Sequence, residues 1–131
     1  MTRHYQSQQA SPAAPVLEIT ALTPDRVRRK TLLALVDSGA DCTVLPEDLL
    51  ADIGAFPFRT RRVKGVTAKP PEEWEEWNVY LLFVEVEGAP VGDLIEVAAD
   101  PRGDEALIGR DVLNRLVLEL NGPAQITSII S

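Results

Sequence analysis

The chain is poor in the residues that most often carry chemistry alone. Its 131 residues hold one cysteine, Cys42, and one histidine, His4. A single cysteine excludes an intrachain disulfide framework. One histidine and one cysteine, far apart, make neither a zinc site nor a Cys/His nucleophile pair. Serine-histidine-acid chemistry is disfavoured on the same ground, and neither a metal nor a cofactor is expected. Basic charge is scarce too: 13 Lys and Arg face 20 Asp and Glu, for a net charge of −7. That balance argues against nucleic acid as a main partner, because phosphate binding needs a basic face. Two local basic clusters, Arg26, Arg28, Arg29, Lys30 and Arg59, Arg61, Arg62, Lys64, read as solvated faces. No apolar run reaches the ~18 residues of a membrane span. The opening MTRHYQSQQASPAAP lacks an apolar signal core, so a cytoplasmic, reducing compartment is expected.

What remains is ordinary for a globular domain: 45% apolar and 25% charged residues. The length fits one domain with a substantial core. Residues 1–15 are polar and read as a flexible N-terminal arm, leaving 16–131 as the domain. Short β-rich runs recur: VLEITALT, VRRKTLLALVD, VYLLFVEV and DLIEVAA, the last two as a hairpin around Gly88-Ala89-Pro90. PEDLLADIG has proline in the first turn, acids behind it and a glycine stop, the marks of a short helix. ALIGRDVLNRL reads as a short strand, a glycine and a one- or two-turn helix. VLELNGPAQITSII reads as strand, Asn-Gly turn, strand. The prolines of KPPEEWEEWN break the pattern.

The stretch Leu35-Val36-Asp37-Ser38-Gly39-Ala40-Asp41 drives an apolar run into an acid. A strand apolar on both faces ends near the core, where a carboxylate is costly unless hydrogen-bonded or functional. Gly39 permits a sharp turn and Ser38 offers a hydroxyl. An Asx turn, with Asp37 capping amides, explains the tripeptide equally well.

About 70 residues later comes Leu107-Ile108-Gly109-Arg110-Asp111-Val112-Leu113. Together with Val36-Asp37-Ser38-Gly39-Ala40, Asp41 and Thr43-Val44-Leu45, in that order and near that spacing, it resembles the single-domain retropepsin-like aspartic proteases. Retroviral proteases are the familiar members. The resemblance covers roughly residues 16–121. It implies a mostly β fold, a small closed β-barrel with one or two short helices. It also implies an aspartic endopeptidase acting on a peptide or protein substrate, without cofactor, at mildly acidic pH.

Aspartic protease chemistry needs two carboxylates, and this chain has one Asp-Ser-Gly and no internal repeat. The resemblance therefore implies a homodimer with an Asp37/Asp37′ dyad on its two-fold axis. It makes Asp37 catalytic, with Ser38, Gly39, Ala40, Gly109 and Arg110 supporting the active-site loop. Substrate contacts fall to Gly39, Asp41, Gly65 and Val66. Asp41 either binds peptide backbone or pairs with Arg110. The flap that closes over substrate should lie between about Arg61 and Trp77, yet TAKPPEEWEEWN replaces the glycine-rich tip of retroviral members. Trp74 and Trp77 are expected to pack on the outer surface rather than over the cleft. Two other readings stand beside the protease: a catalytically silent peptide-binding or dimerisation module on the same fold, and an unrelated small β-barrel using DSG as a turn.

Overall fold

Most of the β-rich runs of the sequence become strands, and one additional strand pairing closes the main sheet into a ring. The computed structural model describes residues 1–7, 11–63, 70 and 74–130. Along the chain lie β1 (Thr2–His4), β2 (Val16–Leu22), β3 (Arg29–Val36), β4 (Val44–Pro46) and helix α1 (Glu47–Asp52). Then come β5 (Pro57–Val63), β6 (Glu75–Val86), β7 (Ala89–Pro90), β8 (Ile95–Asp100) and β9 (Leu107–Ile108). Helix α2 (Arg110–Leu113), β10 (Leu118–Asn121) and β11 (Ile126–Ile129) complete the chain.

The main sheet runs β2-β3-β9-β4-β8-β6-β5, and β2 also pairs with β6. That extra pairing returns the hydrogen-bonded path to its start as a ring of sheet. Most neighbours are antiparallel, but β3 with β9 and β4 with β8 are parallel. Parallel pairs cannot be joined by a tight turn, so chain segments distant in sequence meet there. This is how the Asp37 stretch comes to lie beside the Gly109 stretch: Val36 is registered against Ile108.

Burial follows the pleat. Along β6, Tyr80, Leu82, Val84 and Val86 point into the core cluster, as period-2 alternation requires. Strand β2 is buried at almost every position. Leu17, Ile19, Leu45, Leu82 and Ile108 are fully buried, and Leu50 of α1 and Val112 of α2 plug the same core. Each such side chain stabilises the fold by about 1.5–3 kcal/mol relative to exposure.

Within residues 1–15 the structure places a strand where the sequence reads as a flexible arm. β1 pairs with β11, which pairs with β10, in a separate three-stranded sheet. A bidentate ion pair pins it. Arg3 Nε lies 2.6 Å from Glu87 Oε2 and Nη2 lies 3.0 Å from Oε1. The Glu87 side chain is only 3% exposed, so without Arg3 its charge would sit in a poor environment.

Two local expectations differ as well. Within the stretch KPPEEWEEWN, read as a break in the pattern, Glu75 already begins β6. Its acidic start is stabilised across the hairpin, where Arg62 faces Glu76 and Arg61 faces Trp77. The link between β10 and β11 is longer than a two-residue Asn-Gly turn. Asn121 Oδ1 accepts the Ala124 amide at 3.0 Å, and Gln125 takes a positive φ of 53°.

Candidate active site

The site is assembled where β3 and β9 run side by side. The amide of Asp37 donates to the Ile108 carbonyl at 3.0 Å, which extends the parallel ladder to the strand end. The chain then turns. Gly39 N–H donates to Asp37 Oδ1 at 2.9 Å, and Ala40 N–H to the Asp37 carbonyl at 3.2 Å. Asp37 therefore does form the Asx turn. It is also half-buried at the mouth of a cleft, with Ser38 and Gly39 exposed beside it. The turn and the candidate catalytic position are one and the same.

The second motif clamps this loop from below. A Cβ on Gly109 would sit 2.4 Å from the carbonyl carbon of Cys42 and 2.5 Å from its oxygen. No other residue fits that approach. Arg110 N–H donates to the Ala40 carbonyl at 2.9 Å, and Arg110 Nη1 to the Ser38 carbonyl at 2.8 Å. The expected Asp41–Arg110 pair is not formed: Asp41 Oδ2 instead takes Arg61 Nη2 at 2.8 Å. Arg61 sits on β5 across the cleft, nearer the exposed Asp41 carboxylate than Arg110, whose guanidinium is engaged by the loop carbonyl.

Beneath the loop lies a network to which the sequence assigns no role. Thr43, fully buried, accepts the Gly109 amide through Oγ1 at 3.2 Å and donates to Asp111 Oδ1 at 2.8 Å. Asp111 Oδ2 accepts the Thr43 amide at 3.1 Å. Thr43 and Asp111 both lie inside the quoted motifs; a buried hydroxyl near an acid of the other motif was the signal available.

The cleft has a volume of about 770 Å³. Asp37, Gly39, Ala40, Asp41 and Arg110 line it, whereas Gly109 and Ser38 do not. Gly65 and Val66 lie outside the described residues. A second acid closes an apolar strand at its wall, at the end of β8. Asp100, 2% exposed, accepts the amides of Arg102, Asp104 and Glu105 at 2.9–3.0 Å and so organises the 100–105 loop. The run EVAAD carries the same local signal as LALVD. Glu105, also lining the cleft, is held above the usual carboxylate range by burial first, then by the negative charges of Asp100, Asp37 and Asp104.

Cys42 lines the cleft half-exposed rather than buried in the core. Its thiol is pushed up to about 11, chiefly by burial, with Asp41 and Asp111 adding and Arg61 opposing. Trp74 and Trp77 line the cleft too, against the expectation of an outer-surface position. The pleat decides this, since Trp77 shares the face of Glu75 and Val79, opposite to the core-facing Tyr80.

No family model matches the chain, and no curated protein matches it. Among solved structures it is similar to the foamy viral protease-reverse transcriptase, determined in complex with double-stranded DNA. The TM-score is 0.50 at 24% sequence identity, over 76% of this chain. The chain spans only 15% of that one's length. The likeness is one of fold.

Proposed function

We propose that the chain supplies half of an aspartic endopeptidase site, completed by Asp37 of a second copy in a symmetric homodimer. One observation carries the reading. Asp37 ends a core strand, sits on a loop knitted from below by Gly109, Arg110 and Thr43, and opens onto a peptide-sized cleft. An Asx turn alone needs no such support and no cleft.

Two carboxylates brought face to face cannot both ionise, so the pair shares a proton and titrates as a unit. The ionised member removes a proton from a water held between them, and that water oxygen bonds to the scissile carbonyl carbon. The protonated member donates to the carbonyl oxygen. Collapse of the tetrahedral species breaks the C–N bond, a proton passes to the leaving nitrogen, and acid and amine are released. No acyl-enzyme forms. Ser38 braces the two loops against each other, and the Gly39 carbonyl accepts a peptide N–H. Asp41 contacts substrate after exchanging or sharing Arg61.

The reading is supported by the fold likeness and by the two-motif resemblance. The test is a denatured-peptide library incubated across roughly pH 3 to 7. Cleavage should be strongest at mildly acidic pH, stopped by pepstatin-type inhibitors and absent in Asp37→Asn. Undiminished cleavage by Asp37→Asn would overturn the assignment.

A further inference from the structure

The floor of the cleft is a hydrophobic cluster of its own. Val44, Trp77 and Ala98 are buried together, with Cys42, Val63 and Leu107 packed against them. All six line the cleft, and the group is separate from the main core. The largest side chain of the cluster is Trp77, at 6% exposure, packed in one group with the small Ala98.

The indole is held in place. Its Nε1–H donates to Glu75 Oε2 at 3.0 Å. Glu75 is in turn ion-paired with Arg102, which stands on the loop organised by Asp100. The residue opposite Trp77 across the hairpin is Arg61, tied to Asp41. Both β5 and β6 are thus tied by ion pairs to residues that line the cleft. Swinging the indole aside would break its charge-assisted bond to Glu75 and unpack it from Val44 and Ala98. A large side chain that cannot yield sets an upper limit on what fits beside it.

We propose that Trp77 is a specificity-determining residue, limiting this apolar subsite to small and β-branched aliphatic side chains and turning away aromatic ones. The inference rests on the cleft being a peptide site. It does not depend on catalysis, because the floor selects whether or not the bond is cut.

The experiment captures a random hexapeptide pool on immobilised Asp37→Asn protein and sequences what is retained. Alanine and valine should be favoured over phenylalanine and tryptophan at one position by about tenfold, the order of discrimination a pocket gains from small differences in size. In Asp37→Asn/Trp77→Val that preference should fall about tenfold, to near parity. Should the valine variant lose its native near-ultraviolet circular dichroism, Trp77→Phe carries the test, with an intermediate ratio expected. An unchanged ratio in a folded Trp77 variant overturns the proposal, as does capture of no peptide at all. The expected selectivity without any cleavage by the unmutated chain would leave Trp77 standing and sink the endopeptidase. Cleavage with unchanged selectivity would do the reverse.

Discussion

Replacing Gly109 by alanine would put a methyl carbon 2.4 Å from the Cys42 carbonyl carbon, 2.5 Å from its oxygen and 3.0 Å from its Cα. Ordinary carbon contacts lie near 3.5 Å, so the two backbones must part by about 1 Å. The obstacle is backbone, which cannot rotate away as a side chain could. Overpacking of this kind costs about 1–3 kcal/mol. For a chain of this size that lowers the melting temperature by roughly 4 °C per kcal/mol, or about 4–12 °C. The same displacement strains the bonds from Gly109 N–H to Thr43 and from Arg110 N–H to Ala40. Asp37 rides on that loop, and a 1 Å error at a reacting group costs about 100-fold in rate. Thermal unfolding followed by circular dichroism measures the first effect, and kcat on a cleaved peptide the second. A Gly109→Ala protein with native melting temperature and native kcat would refute the argument that Gly109 holds the loop by close packing.

Thr43→Val keeps the shape but strips the buried hydroxyl, so the Gly109 amide loses its acceptor while Asp111 Oδ1 keeps only the Val112 amide. Urea unfolding should show a loss of about 1–3 kcal/mol, largely restored in Thr43→Ser. Arg3→Ala should cost about 3 kcal/mol, the low end for a broken buried pair because Arg3 keeps 29% exposure. Hydrogen exchange should then quicken at the β11 amides that β1 covers, and unchanged protection would contradict the pinning role. With the Cys42 thiol raised from 9.0 to about 11, the folded state holds roughly a hundredfold less thiolate at neutral pH than the unfolded chain. Iodoacetamide labelling followed by mass spectrometry should be slow until urea unfolds the protein. The sign for stability follows. A raised folded value favours the protonated native state, so this contribution is complete below about pH 9 and is lost as pH rises through about 11. Fast labelling of the native protein would contradict it.

Many of the strands were legible because β-rich runs are separated by turn residues. Asp37, Gly39, Gly109 and Arg110 could be paired in advance because two short motifs fall in one order. The ring was not legible in detail, since the β2–β6 pairing joins segments over sixty residues apart and leaves no local mark. Composition misled at the N-terminus: Thr2–His4 is polar, yet it finds a strand edge and a buried carboxylate to pair with. Long-range ion pairs were equally hidden. The sequence offers Arg110 as the partner of Asp41, and the geometry pairs it with Arg61 instead. Trp77 was misplaced because the proline-rich stretch before it hid the start of β6 and with it the face on which the indole falls.

The central claim is that one active site needs an Asp37 from each of two chains. Mixing unmutated protein with Asp37→Asn at constant total concentration, with time for subunits to exchange, tests it most directly. If both carboxylates are required, activity should follow the square of the unmutated fraction, falling to about one quarter in an equal mixture. Activity that falls in simple proportion, to about one half, would mean that each chain works alone and would contradict the shared dyad.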